Sequence, residues 1–207
     1  MIAIVDYGAG NSASVLQALT HLGHRAEVTS DSGLVARAER VIFPGVGAAG
    51  AAMASLRRLD LLGALRERIA ADRPFLGICL GYQLLFRFSH EDKTECLGAL
   101  PGEVVRFPDD LREVADGRRL KVPQIGWNRV EFAGSHPLWR GIDSGGEFYF
   151  VHSYYPRPET APGMTLMHTE YGLRFASGVV RGALCACQFH PEKSGRLGLR
   201  LLDNFCR

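Results

Sequence analysis

Pro74-Phe75-Leu76-Gly77-Ile78-Cys79-Leu80-Gly81-Tyr82-Gln83 changes its pattern in the middle. Residues 74–79 form a short apolar run, as expected of a strand buried on both faces. From Leu80 to Phe88 the pattern is helical. Cys79 therefore falls on a strand-to-helix turn, with a glycine two residues before it and another two residues after. Small neighbours permit a sharp turn that projects a nucleophile at the edge of a sheet, as in the serine elbow Gly-x-Ser-x-Gly.

The flanking sequence repeats the strand–helix alternation. Ile2-Ala3-Ile4-Val5 reads as a buried strand ending in the tight loop Asp6-Tyr7-Gly8-Ala9-Gly10. Asn11 and Ser12 are candidate N-caps for a helix through about His21, which Gly23 stops. Glu27-Val28-Thr29 and Arg40-Val41-Ile42-Phe43 read as further strands, the latter ending at Pro44-Gly45-Val46-Gly47. Leu61, Leu62, Leu65 and Ile69 mark one face of a helix, with Arg66, Glu67 and Arg68 mostly on the other. This alternation predicts an α/β fold: three layers, with a largely parallel or mixed central sheet and helices on both faces.

Beyond Glu103 the apolar runs shorten. Val104–Phe107, Glu147–Val151 and Ala183–Phe189 read as strands, and Ser194 to Cys206 as a closing amphipathic helix carrying Leu197, Leu201, Leu202 and Phe205. Asp109 to Arg119 is the most polar stretch and reads as an exposed loop. A length of 207 residues with 46% hydrophobic content suits one domain over 1–207.

Charge excludes little by itself. Twenty-four Lys and Arg against 22 Asp and Glu leave +2, and no dense basic run carries interleaved aromatics, so nucleic acid is not an expected partner. No apolar segment approaches the roughly 20 residues of a membrane span. The start, Met1-Ile2-Ala3-Ile4-Val5-Asp6, lacks the pattern of a signal peptide. Five cysteines, an odd number at irregular spacing, do not form a disulfide framework. A reducing cytoplasm is the expected location.

A free cysteine is more often an inert core residue than a nucleophile. Against that reading, the start of the following helix offers unpaired N–H groups and partial positive charge, which favour thiolate and can bind an oxyanion. A thiol nucleophile also needs a base. Gln188-Phe189-His190-Pro191-Glu192 ends a predicted strand, and Pro191 biases His190 towards extended geometry. In an extended chain His190 and Glu192 project to the same side, so the carboxylate can orient the imidazole. Cys79 and His190 both end strands, where active groups gather in parallel sheets. His21, His24 and His136 have no acid two residues on; His90 and His168 do, in Asp92 and Glu170, but without the intervening proline that makes the His190–Glu192 pair distinctive, and His152, inside an aromatic stretch, reads as a structural or supporting residue.

Together, Gly77–Gln83 and Gln188–Glu192 resemble the class I (triad) glutamine amidotransferase family. Further blocks are similar to the branch of that family that feeds ammonia to a separate cyclase in histidine biosynthesis. These are Asp6–Asn11, Pro44–Gly47, Lys121–Asn128, Phe148–Tyr154 and His190–Ser194, spread over nearly the whole length.

The resemblance implies that Cys79 attacks the glutamine carboxamide, that His190 moves the protons and that Glu192 supports it. Leu80 N–H and a backbone N–H near Val46 and Gly47 would form the oxyanion hole, and Gln83 would help hold the glutamine. Asn11, Trp127, Tyr149 and Lys193 would face or gate towards the partner. That partner would be the cyclase subunit, with a (β/α) barrel fold, forming a heterodimer with this chain. A barrel alone needs about 250 residues, so it would be a separate chain. No cofactor and no metal is implied. Glycines in 44–47 would let a peptide flip, so that the oxyanion donor waits on the partner.

Some positions depart from the family pattern. Tyr82 stands where Met is usual, Ala49 replaces a larger aromatic, and Cys185 and Cys187 precede the base where small or hydroxyl residues are usual. Cys185-x-Cys187 has no second pair near it in sequence to complete a structural zinc site. The sequence leaves open another class I amidotransferase subunit, or a catalytically silent subunit that only activates its partner.

Overall fold

The computed structural model describes residues 1–8 and 11–207. Ala9 and Gly10, in the loop expected after the first strand, lie outside the described residues. The first half runs β1 (Ile2–Val5), α1 (Ser12–His21), β2 (Ala26–Thr29), α2 (Ser32–Arg37), β3 (Arg40–Gly45), α3 (Ala49–Arg58), α4 (Leu62–Ala70), β4 (Phe75–Cys79) and α5 (Leu80–Gln83). The second half is mostly strand: β5 (Phe88–Ser89), β6 (Thr94–Glu95), β7 (Gly102–Arg106), β8 (Gln124–Phe132), β9 (Gly146–His152), β10 (Tyr154–Pro158), β11 (Met164–Glu170), β12 (Arg174–Arg181) and β13 (Leu184–Cys187), closed by α6 (Gly195–Cys206).

Nine strands among the described residues form the main sheet, in the order β2-β1-β3-β4-β13-β12-β11-β8-β9. The pairs among β2, β1, β3, β4 and β13 are parallel, and β12, β11, β8 and β9 continue the sheet antiparallel. A second sheet, β10-β7-β5-β6, lies beside it. The mixed three-layer α/β architecture is therefore the one expected.

Strand alternation sorts the core into two layers. Ile2, Ile4, Ile42, Leu76, Ile78, Cys185 and Cys187 face one way and meet Val15 and Leu19 of α1 and Leu201, Leu202 and Phe205 of α6. Ala3, Val5, Val41, Phe43, Phe75 and Ala186 face the other way and meet α2, α3 and α4 through Val35, Met53, Leu56, Leu65 and Ile69. Both faces of β1, β3, β4 and β13 are covered, which is why their sequences read as continuous apolar runs.

Three expectations need correction. The helix after Cys79 is only Leu80–Gln83, not a helix to Phe88. Beyond it Leu85 N–H bonds Tyr82 O and Phe86 N–H bonds Gln83 O, the i to i+3 bonds of tightening turns. Arg68 is not on a solvent face: it is 2% exposed and donates to the carbonyls of Ala38, Glu39 and Pro74. It ties α4 to the chain entering β3 and β4. Asn11 occupies the N-cap position of α1 but makes no side-chain cap bond, with φ at 87°. The Asp109–Arg119 loop is largely exposed, as expected.

Candidate active site

The parallel strands bring their carboxyl ends to one edge of the sheet, and the candidate residues gather there. Register places Gly45 at the end of β3 opposite Cys79, and Cys187 of β13 opposite Ile78. Gln188 therefore comes alongside Cys79, with His190 two residues further on.

Cys79 has φ 54° and ψ −109°, a backbone state that L residues avoid. The flanking glycines are required by close approach. A Cβ on Gly81 would collide with the carbonyl oxygen of Phe43, and one on Gly77 would lie 3.0 Å from the carbonyl oxygen of Gly81. The strand-to-helix elbow read from the sequence is present, and it holds the thiol 6% exposed at the sheet edge.

His190 Nδ1 donates to Glu192 Oε1 at 2.7 Å, and both side chains are fully buried. The pair does not arise from an extended chain: residues Pro191–Lys193 make a 3-10 turn, with His190 extended before it. With Nδ1 committed to Glu192, Nε2 is the nitrogen left for the thiol. It makes no hydrogen bond among the described residues, and such contacts are often long before substrate arrives. Burial opposes a charge on His190, but Cys79 and Glu192 outweigh it and raise the imidazole to about 10.

Asn11 donates from Nδ2 to the same Glu192 oxygen at 2.5 Å. It thus helps fix the carboxylate, a contact with the base's orienter that sequence reading did not assign. The turn is also tied to β9. His190 N–H bonds Tyr149 O, Tyr149 N–H bonds Ser194 Oγ, and Ser194 Oγ donates to His190 O. Tyr149 is half-buried and meets the Trp127 ring edge-on at 6.2 Å. Trp127 and Ile125 are 55% and 63% exposed, and Lys193 is exposed next to the base.

A cavity of about 310 Å³ opens at Cys79. Its lining includes Val46, Gly47, Leu80 and Gln83, all four expected at an oxyanion and substrate site, together with Glu91, Ser153 and Tyr154. Gln83 is 5% exposed, and its Nε2 donates to Tyr154 O and to Gln188 Oε1. Only Oε1 of Gln83 is left to meet a ligand. Glu91 was missed by the sequence reading. Its Oε2 accepts from Ala49 N–H at 2.8 Å, and burial raises its carboxyl, opposed by that bond and aided by Asp92. A larger depression, about 820 Å³, lies elsewhere, over the second sheet. Its arginines Arg87 and Arg157 pair with Glu159 and Glu103.

His24 pairs with Asp203 and His90 with Glu103, acids distant in sequence. His152 is caged by Phe107, Phe150 and Phe175 at 5.3–5.7 Å, and its Nδ1 donates to Tyr154 O. Among the departures, Tyr82 is fully buried with its hydroxyl donating to Ala176 O at 3.4 Å, and Ala49 is buried at the start of α3. Burial pushes the Cys185 thiol up to about 12 and Cys187 well above the usual range. No group of three metal-ligating side chains occurs among the described residues.

A buried cysteine on an elbow, an imidazole held by a carboxylate and a pocket opening beside them are the parts that a cysteine amidohydrolase site needs. The class-I glutamine amidotransferase family profile matches residues 3–207, and the chain belongs to that family. It is 51% identical to the imidazole glycerol phosphate synthase subunit HisH of Aromatoleum aromaticum, over 99% of this chain and 96% of that one. It is 49% identical to the subunit of the same name from Thiobacillus denitrificans, over 99% and 90%. Among solved structures, a glutamine amidotransferase matches with a TM-score of 0.73 at 20% identity, covering 99% of this chain and 97% of that one. A glutamine amidotransferase from Thermotoga maritima matches at 0.61 and 19%, covering 95% and 77%. At those identities the structures speak for the fold alone.

Proposed function

We propose that this chain is the glutaminase subunit of an imidazole glycerol phosphate synthase, acting as one domain over residues 1–207. The observation that carries the chemistry is the convergence of Cys79, His190 and Glu192 on one edge of the sheet, beside a pocket lined by Leu80 and Gln83. The specific pathway rests on the near full-length likeness to the two HisH subunits.

Cys79 attacks the side-chain carboxamide carbon of glutamine as thiolate. The oxyanion that develops is met by Leu80 N–H and by a backbone N–H at Val46 or Gly47, after a peptide there turns inward. His190 gives its proton to the departing nitrogen, so ammonia leaves and a glutamyl thioester remains. Water then attacks the thioester while His190 takes its proton, releasing glutamate and restoring the thiol. Glu192, fixed by Asn11, keeps Nδ1–H of His190 occupied and Nε2 turned to the sulfur. Gln83 and the half-buried Glu91 carboxylate bind the amino-acid end of glutamine.

The ammonia passes to a separate cyclase with a (β/α) barrel fold, which makes imidazole glycerol phosphate and an aminoimidazole carboxamide ribotide. The exposed apolar pair Ile125 and Trp127, with Tyr149 and Lys193 beside the base, supports docking over this edge. Aromatic side chains within a polar rim are the usual make-up of such a surface. The likeness to the HisH subunits supports a cytoplasmic reaction; separately, no described helix is long and apolar enough to cross a membrane.

The test is glutamate release from glutamine by the purified chain, alone and with the cyclase and its ribotide. Strong stimulation by the loaded cyclase is the expected result. Release without stimulation keeps the glutaminase and removes the partner and the gating peptide. No release under any condition, with Cys79 reduced, leaves only a silent activating role.

A further inference from the structure

Gln188 stands beside the nucleophile, and no role in the reaction has yet been given to it. Its backbone is fixed: Gln188 N–H bonds Ser177 O at 2.8 Å, and the β13–β4 register sets it next to Cys79. Its side chain is fully buried.

The direction of its amide follows from one backbone carbonyl. A carbonyl oxygen can only accept, so the atom of Gln83 that lies 2.9 Å from Tyr154 O is Nε2. The same nitrogen lies 3.0 Å from the Gln188 amide, and its second hydrogen needs an acceptor there. That makes the facing atom Oε1 of Gln188. Its Nε2 then points the other way, to Cys79 Sγ at 3.6 Å. Turning the Gln188 amide over would set oxygen against sulfur and two N–H2 groups against each other, both unfavourable in a buried site. His152 Nδ1, donating to the same Tyr154 carbonyl, braces the start of the relay.

We infer that Gln188 is a positioning residue that stabilises Cys79 as thiolate through an N–H held on the sulfur by Gln83. A neutral donor suits this place. It favours the anion without adding a second positive charge to compete with His190 for it. Because Gln83 also lines the cavity, the relay connects the sulfur with the pocket that receives substrate. The catalytic use of this contact rests on the glutaminase reading above; the contact itself does not.

The experiment is the rate of Cys79 alkylation by iodoacetamide across pH, read at the Cys79 peptide by mass spectrometry on the full chain. Gln188→Met keeps the side-chain length and removes the N–H. Near neutral pH it is expected to react about tenfold more slowly than the parent and to regain the rate about one pH unit higher. Gln188→Glu, which sets an acceptor against the sulfur, is expected to move the profile further. If either variant fails to fold, Gln83→Met, which frees the Gln188 amide without touching β13, is expected to shift the profile in the same direction by less. A rate lowered by one factor at every pH would indicate access or folding and overturns the inference, as does an unmoved profile. Alkylation needs no glutamine, so a shifted profile in a protein without glutaminase activity would remove the proposed function and leave this contact standing.

Discussion

Acid should unfold this protein in part through one histidine. His152 is buried among Phe107, Phe150 and Phe175, with Nδ1 committed to Tyr154 O and no acceptor for a second proton at Nε2 among the described residues. Burial, with help from the positive His190 and against the Tyr154 bond, lowers its pKa from 6.5 to about 4. Below pH 6.5 the unfolded chain takes up a proton there that the folded chain refuses. The stability from keeping His152 neutral is complete above about 6.5 and is lost as pH falls towards 4. At about 1.4 kcal/mol per unit, that shift corresponds to about 3 kcal/mol.

The perturbation is His152→Phe, which fits the aromatic cage and cannot titrate. Urea unfolding, followed by the fluorescence of buried Trp139, would be compared between about pH 7.5 and about pH 4.5 for both proteins. The remaining groups titrate in both, so the difference between the two losses isolates His152. The parent should lose about 2–3 kcal/mol more than the variant over that interval. Equal losses would refute the claim that His152 is held neutral by its surroundings.

Cys79→Ala should reduce glutamine-dependent turnover by about a thousandfold or more while leaving synthesis from free ammonia by the complete complex intact, because the proposed function puts the second site on the partner. Parallel assays with the two nitrogen sources decide it. Glu192→Gln should lower kcat on the order of 10²–10⁴-fold with little change in KM, since the imidazole loses its orienting charge and not the substrate its pocket. Steady-state glutaminase kinetics read the split. Gly81→Ala should cost about 3 kcal/mol, because its Cβ meets the Phe43 carbonyl, a backbone group that cannot step aside. A urea midpoint close to that of the parent would contradict it.

The parallel half of the fold was legible because its strands are buried on both faces and its turns are marked by glycine and proline. Ile2–Val5, Arg40–Phe43 and Phe75–Cys79 could hardly be read otherwise. Helix α3 was not legible: it opens with the small residues Ala49-Gly50-Ala51-Ala52, and the larger side chains that mark its faces, Met53, Leu56, Arg57 and Arg58, come late. Strands β8, β11 and β12 were not anticipated. Along β8 only Gln124 and Val130 are buried, and the first of these is polar.

In the site, Cys79 and His190 were visible because each carries local punctuation, an elbow and an X-Pro turn. Glu91 had none. It sits in an irregular segment and reaches the cavity because it caps the N–H of Ala49 from a distant part of the chain. Asn11 looked like a helix cap because that is what asparagine does locally; the contact with Glu192 spans 181 residues and leaves no local trace. Gln188 lay inside the motif that identified the base, yet the direction of its amide is set by Tyr154, which only the folded sheet brings near.

The seating of β13 between β4 and β12 bears on how the protein is made. On the ribosome, β4 emerges with one edge unpaired, and the strand that closes it has yet to be translated. Gln188 follows Cys79 by 109 residues, a delay of about 5–20 s at ordinary elongation rates. During that interval the nascent chain presents an open apolar strand edge, a natural client for a chaperone. It also carries a thiol with neither its amide donor nor its base. On the proposed function the nucleophile thus stays unactivated until residue 190 has been synthesised, and a ribosome that stalls before it leaves behind no partial glutaminase.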